Sequence, residues 1–216
     1  MKKLVLALCM FCIAPLAFAT QQLDEAILGL RQAWDQANYA LQGGQKEKAL
    51  EAVAARADAL VQQWPGRAEP LVWKGIALAS WAGAKGGLGA LGLAKQARDA
   101  LLAAERVDPQ VFNGSIYTTL GSLYYKVPGW PLGFGDDDKA REYFKKALSM
   151  NPDGLDPNYF YGDFLIDQGD YKGAAQVLQH ALQAPLRKDR PVADRGRRAQ
   201  AELALHKALQ HVGSNG

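Results

Sequence analysis

Apolar residues recur every three to four positions along most of the chain, and this spacing predicts amphipathic helices. The first such run lies between Gln22 and Gln42, and the next extends from Lys46 to Gln63 and stops before Pro65-Gly66. No run alternates apolar and polar residues for long enough to predict a strand. The pattern therefore predicts an all-α fold.

The predicted helices fall into pairs, and in each pair a glycine lies just before the second helix. Each second helix begins with Gly-x-x-x-x-Ala, at Gly44–Ala49, Gly92–Ala97, Gly135–Ala140 and Gly169–Ala174. Glycine permits a tight turn between helices, and a small alanine permits their close approach. This repetition predicts a row of helix hairpins.

Four hairpins and one further helix account for the chain after residue 19. The predicted units are helix pairs at 20–65, 66–110, 111–153 and 154–186, then a capping helix and tail at 187–216. The second pair carries a glycine-rich insert at 82–91, and the third carries an apolar insert at 127–134. The first pair is degenerate, since Ala37 stands where the glycine of its first helix is expected.

The third pair has the most recognisable spacing. It places Tyr117, Leu120, Gly121, Tyr124, Ala140, Phe144, Ala147 and Pro152 along two helices. This arrangement resembles the tetratricopeptide repeat (TPR), a helix hairpin of 34 residues. The resemblance implies a right-handed solenoid of about four degenerate hairpins plus a C-terminal capping helix, with an inner groove lined by the first helices. It also implies a non-enzymatic scaffold that binds peptides, helices or partner domains in that groove.

A narrower resemblance is to the periplasmic T component associated with tripartite ATP-independent transporters. It rests on Pro128-Gly129, Gly135-Asp136 and Lys139-Ala140, together with the lengthened segments between helices. It implies a ligand cleft and contact with a substrate-binding protein. The chain departs from the pattern of a tethered member, because Leu8 rather than a small residue precedes Cys9 and no lipobox is formed.

Residues 1–19 have the pattern of a cleaved secretory signal peptide. Two lysines precede the apolar run Leu4–Phe18, which ends in Ala17-Phe18-Ala19. The run is too short to span a membrane comfortably, although a retained anchor stays open as the alternative. The lysine pair is typical of bacterial signals, so the sequence predicts a periplasmic protein with no stable membrane insertion after cleavage.

Removal of this segment changes what the composition allows. Both cysteines, Cys9 and Cys12, lie within it, so the mature chain has no disulfide, thiolate nucleophile or cysteine metal ligand. Loss of Lys2 and Lys3 removes two of the 25 basic residues and leaves a net charge of +1 against 22 acidic residues. Near-neutrality argues against a nucleic-acid partner, which would require a basic surface.

Several motifs with known chemistry lack the context that would give them a function. Gly87–Gly92 matches G-x-G-x-x-G, but no strand precedes it, so a turn between helices is favoured over a dinucleotide site. Asp136-Asp137-Asp138 lacks the ligand spacing of a calcium loop and is better explained as a helix N-terminus. The basic run 187–198 is expected to be the solvated face of the capping helix, which is favoured over contact with an anionic surface or lipid head group.

No metal or catalytic site is predicted. The histidines His180, His206 and His211 lack metal-ligand spacing, and the chain has no nucleophile elbow, zinc-protease motif or phosphate loop. The sequence thus predicts no catalytic residue, no metal and no cofactor. A cleft with paired buried carboxylates would reopen the question of catalysis.

Aromatic residues concentrate in the third and fourth pairs. By repeat register, Tyr117, Tyr124 and Phe144 are expected in the core. The candidate binding residues, in a groove or pocket, are Ser122, Tyr125, Lys126, Trp130, Phe134, Tyr159, Asp163 and Asp167. Two interpretations of the apolar loop 127–134 stay open: Trp130 and Phe134 cover their own helix pair, or they roof the groove and form a pocket with Tyr125 and Tyr159.

Two functional hypotheses follow. The first is a periplasmic adaptor or scaffold that binds a partner protein or peptide in its groove. The alternative is a carrier or sensor of a small apolar ligand, associated with a transporter, in which Trp130 and its loop form the lid of an aromatic pocket.

Overall fold

The protein is a stack of helices joined by short turns. The computed structural model describes the backbone of residues 2–214 and the side chains of residues 20–213. Its helices are α1 Lys2–Tyr39, α2 Gly43–Gln63, α3 Ala68–Lys85, α4 Gly89–Val107, α5 Ser115–Lys126, α6 Asp137–Met150, α7 Leu155–Asp167, α8 Tyr171–Gln183 and α9 Pro191–Ser214. Residues 2–214 contain no strand, so the all-α prediction is confirmed. The predicted signal peptide, 1–19, lies outside the residues whose side chains are described.

Consecutive helices pack in pairs, and the pairs stack as a solenoid. The pairs are α1/α2, α3/α4, α5/α6 and α7/α8. Each first helix contacts the first helix of the next pair, and each second helix contacts the following first helix. The first helices therefore form one continuous layer, on which α9 closes back by packing against α8, α7 and α1.

A glycine on the first helix allows each of the last three pairs to pack closely. A Cβ atom at Gly75 would lie 2.5 Å from Leu101, one at Gly121 would lie 2.9 Å from the Phe144 ring, and one at Gly162 would lie 2.6 Å from Leu178. Real Cβ atoms do not approach neighbours this closely, so the hairpins require glycine at these positions. Helix-pair packing thus follows directly from the small and large residues that the sequence places opposite each other.

The aromatic core of the third pair is confirmed. Tyr117 and Phe144 are fully buried and Tyr124 is 8 % exposed. The Tyr143 ring stacks between Tyr117 and Tyr124, with centroids at 6.2 and 5.5 Å. Phe144 and Phe164 continue this cluster into the fourth pair, at a centroid distance of 5.6 Å.

The turns within the pairs differ in length. Between α7 and α8 the turn is short and Gly169 adopts φ +76°, a conformation that favours glycine. Most of the predicted insert at 82–91 is helical and not a loop. Helix α3 continues to Lys85 and α4 begins at Gly89, so the additional residues lengthen the helices. Alanine-rich sequence around Gly83 explains this, because alanine is the strongest helix former. Residues 127–136, in contrast, do form a loop.

Within residues 20–213 no helix is long and apolar enough to cross a membrane.

Candidate functional site

The solenoid forms a partly open cavity of about 790 Å³ on the side of its first helices. Residues of α1, α3, α5 and α7 line it, and the segment around the start of α9 completes the wall. The aromatic and aliphatic side chains that line it are Trp34, Trp73, Ile76, Phe112, Tyr159 and Phe160. The predicted inner groove is therefore present, and it is partly closed rather than open along its length.

The wall contributed by α1 and α3 is rigid. Trp34 and Trp73 meet edge to face with centroids 6.0 Å apart, and Trp34 Nε1 donates a hydrogen bond of 2.9 Å to Ser80 Oγ. The neighbouring loop places Phe112 and Asn113 at positive φ, 53° and 44°. A bulky residue rarely adopts this conformation, and such backbone is common in loops that form binding sites.

A C-terminal strap closes the cavity. We use this name for residues 184–200, which comprise the link between α8 and α9 and the first turns of α9. Arg190 of the strap forms an ion pair with Asp35 of α1 at 2.5 Å, and its guanidinium lies 5.6 Å from the Trp34 ring. Asp35 is buried and Arg190 is nearly so, with side chains 6 % and 13 % exposed. The start of the chain's last helix is thus fixed to the first helix of the solenoid.

A second cluster fixes the strap to the fourth pair. Asp156 of α7 accepts hydrogen bonds from Arg187 Nη1 and Arg197 Nε, both at 2.8 Å. Arg187 also pairs with Asp194, which is 1 % exposed. Burial of Asp156 opposes its ionisation, but the positive charges of Arg197, Arg187 and Arg190 outweigh this effect and hold its pKa well below the ordinary value.

The prediction that the basic run is the solvated face of the capping helix is therefore wrong for much of the run. Arg197 is 5 % exposed and lies over the Tyr159 and Phe160 rings at 4.5 and 4.3 Å. Arg198 donates to the backbone oxygens of Leu182 and Ala184. These arginines face inwards because carboxylates and aromatic rings from distant helices compensate for their burial.

Lys46 is the cation of the cavity wall that lacks a carboxylate partner among residues 20–213. It lies in the first turns of α2, and its Nζ donates a 2.7 Å hydrogen bond to the backbone oxygen of Asn38. Burial and the nearby charge of Arg197 lower its pKa. An anionic group entering the cavity would find this ammonium available.

Four of the predicted binding residues line the cavity. They are Ser122, Lys126, Tyr159 and Asp163. Asp163 is already engaged, because it accepts a hydrogen bond from the Tyr125 hydroxyl and lies 2.9 Å from Lys126 Nζ. Burial and the charge of Asp163 raise the pKa of Tyr125 well above its ordinary value, so this phenol is a hydrogen-bond donor. Tyr125 itself supports the wall from behind.

The other three predicted residues lie away from the cavity. Trp130 is 88 % exposed, and Phe134 packs against the Tyr124 ring at 5.4 Å beneath the guanidinium of Arg98. Asp167 is exposed near the end of α7. The interpretation that the loop roofs the groove is wrong. Phe134 covers its own helix pair, as the other interpretation held, but Trp130 is exposed and covers no part of residues 20–213.

The α1, α3 and strap sides of the cavity were not predicted from the sequence. Trp34 and Trp73 could have been found by extending the repeat register to the first two pairs, whose first helices also face inwards. No local signal identifies Arg190 or Arg197, because their partners on α1 and α7 lie far away in sequence.

Comparisons with known proteins agree with this architecture. Residues 132–187 match the tetratricopeptide repeat. Among solved structures, the chain is similar to the crystal structure of a thermophilic TPR protein from Thermus thermophilus, with a TM-score of 0.54 and 19 % identity. That match covers 88 % of this chain and 96 % of the other. No curated protein matches.

These similarities show a TPR-like helical solenoid, a fold that generally mediates protein interactions and is generally non-enzymatic. Residues 20–213 contain no group of three or more His, Cys, Asp or Glu side chains placed to hold a metal ion. The cavity offers a ligand aromatic and aliphatic contact, hydroxyl and amide groups, and the ammonium of Lys46, which is bonded to a backbone oxygen.

Proposed function

We propose that the protein is a periplasmic adaptor that binds a short segment of a partner protein in the strap-closed cavity. The cavity is the observation that carries this proposal, because its wall combines rigid aromatic side chains with several hydrogen-bonding groups. Sites of this kind bind through a few precisely placed polar groups on an apolar surface. The periplasmic address rests on the signal-like pattern of residues 1–19.

The size of the cavity favours a short segment over a whole helix. Pockets that bury small ligands are about 300–1,000 Å³, and 790 Å³ falls in this range. An α-helix with its side chains is about 10–12 Å across, and residues of the strap line the cavity. A few consecutive side chains in an extended conformation fit this volume better.

Peptide selection followed by calorimetry tests the proposal. A displayed peptide library is selected on the purified protein, and a selected peptide is titrated into wild type and into Ser122→Trp, which places an indole in the cavity. We expect the variant to bind at least about tenfold more weakly, a loss of about 1.4 kcal/mol. Leu88→Ala, at an 81 % exposed position outside the cavity, is the matched control and should bind as wild type does.

Two results would contradict the adaptor proposal. One is that no peptide is enriched. The other is that the selected peptide binds Ser122→Trp as tightly as wild type, which would place the interaction elsewhere on the surface.

The second candidate function is a carrier or sensor of a small apolar ligand, and the partly closed shape of the cavity favours it. The lid in this case is the strap, not the loop of Trp130. Native mass spectrometry of protein purified from its host would then show an adduct that is absent from Ser122→Trp. An unliganded mass for wild type would count against the carrier and leave the adaptor.

A further inference from the structure

An exposed apolar loop on the third pair is held rigidly. We call residues 127–136 the finger. Backbone hydrogen bonds run from Gly135 N to Pro128 O at 2.9 Å and from Leu132 N to Gly129 O at 3.2 Å, and Asp136 N donates to Tyr124 O at 2.8 Å. Phe134 also anchors the base against Tyr124, so the tip is supported by contacts within its own chain.

The tip of the finger displays two large apolar side chains. Trp130 is 88 % exposed and Leu132 is 63 % exposed. Tryptophan is enriched among residues that dominate binding energies, and a side chain on a rigid loop loses little conformational entropy when it is buried by a partner. An apolar tip that covers nothing in its own chain is thus suited to insert into a recess.

The residues that follow the tip specify the chemistry of that recess. Asp136, Asp137 and Asp138 lie at the base of the finger. Asp136 pairs with Lys139 and Asp137 accepts from Gln168, whereas Asp138 has no cation in pairing distance among residues 20–213. A complementary recess has apolar walls and a positive charge. The same carboxylates disfavour an anionic lipid surface.

The cavity of the protein has these properties. Its walls include Trp73, Ile76 and Phe112, and Lys46 supplies an ammonium without a carboxylate partner among residues 20–213. Neither Trp130 nor Leu132 lines the cavity of its own chain, so the finger reaches such a cavity only on another molecule.

We propose that the finger of one copy inserts into the strap-closed cavity of a second copy. This inference rests on the proposed function, because it takes the cavity to be a binding site for a protein segment. The two surfaces are different, so the contact is heterologous and produces rings or open chains rather than a closed two-fold dimer. A partner segment and the finger then compete for one site.

Sedimentation velocity across a wide concentration range tests the proposal. We expect wild type to associate as its concentration rises, while Trp130→Ala and Ser122→Trp each stay monomeric. Leu88→Ala is the control on the neighbouring turn and should associate as wild type does. Circular dichroism checks that each variant retains its helices.

The decisive experiment mixes the two variants that cannot associate with themselves. Trp130→Ala keeps an intact cavity and Ser122→Trp keeps an intact finger, so an equimolar mixture should form heterodimers and nothing larger. The proposal is overturned if wild type stays monomeric, if the mixture stays monomeric, or if Ser122→Trp alone still associates. It is also overturned if Trp130 drives binding to phosphatidylcholine–phosphatidylglycerol vesicles with no self-association.

Failure of the finger contact can be distinguished from failure of the proposed function. A monomeric wild type that still binds a selected peptide in a Ser122-dependent manner would remove the finger contact and retain the adaptor. A peptide insensitive to Ser122→Trp would remove the adaptor itself.

Discussion

Breaking the ion pair between Arg190 and Asp35 should release the strap. Arg190→Met removes the cation and leaves the Asp35 carboxylate, 6 % exposed, without its partner. Removal of one member of a buried ion pair costs about 3–5 kcal/mol. The loss of the guanidinium from the Trp34 and Trp73 rings, now at 5.6 and 6.0 Å, adds roughly 0.5–1 kcal/mol.

The same strap provides a matched control. Arg31 pairs with Asp189 at 2.6 Å, but Asp189 is 57 % exposed, so Arg31→Met should cost less than about 1 kcal/mol. The double variant Asp35→Leu/Arg190→Met should recover most of the loss, because replacing both charges with apolar groups leaves no buried carboxylate unpaired.

Urea unfolding followed by circular dichroism gives the free energies, and hydrogen exchange of residues 184–190 reports on the strap itself. We expect faster exchange there in Arg190→Met and near-normal exchange in Arg31→Met. If Arg190→Met lowers the free energy of unfolding by less than about 1 kcal/mol and leaves this exchange unchanged, the ion pair does not hold the strap and the reasoning is refuted.

Three further predictions concern packing, pH and the finger. Gly121→Ala should lower the free energy of unfolding, measured in urea, by about 1–3 kcal/mol because its Cβ would press on Phe144. Gly92→Ala has open space around it and should raise the free energy of unfolding by roughly 0.5–1 kcal/mol. Equal effects of the two variants would contradict the packing argument. Because the pKa of Asp156 is lowered, its contribution to stability is complete above the ordinary aspartate value of 3.8 and is lost as pH falls below that value. Acidification should therefore lower the urea midpoint less in Asp156→Asn than in wild type. Trp130→Ala should change the free energy of unfolding by no more than about 0.5 kcal/mol, and a larger loss would mean that the tip packs on its own chain.

Local spacing was sufficient to predict the hairpins. Gly121 and Phe144 lie in one unit, and the contact between them is the reason that small and large residues recur at fixed offsets. The finger could also be recognised as a loop, because Pro128 and Pro131 prevent a helix there. Its orientation could not, since nothing in a loop's composition states whether an apolar tip faces inwards or outwards.

The closure of the cavity could not be predicted for a different reason. Arg190 meets Asp35 across 155 residues, and this contact depends on how four successive hairpins curve. Each pairwise packing angle contributes to that curvature, so the periodicity of one helix pair does not predict the curvature. Without the partners on α1 and α7, the arginines of the strap have the appearance of an ordinary solvated helix face.

Binding of a partner segment in the strap-closed cavity is tested most directly by hydrogen exchange with and without the selected peptide. We expect added protection in α5, α7 and the strap, with α4 and α6 unchanged. Protection confined to α4 and α6, or to the finger alone, would contradict the claim.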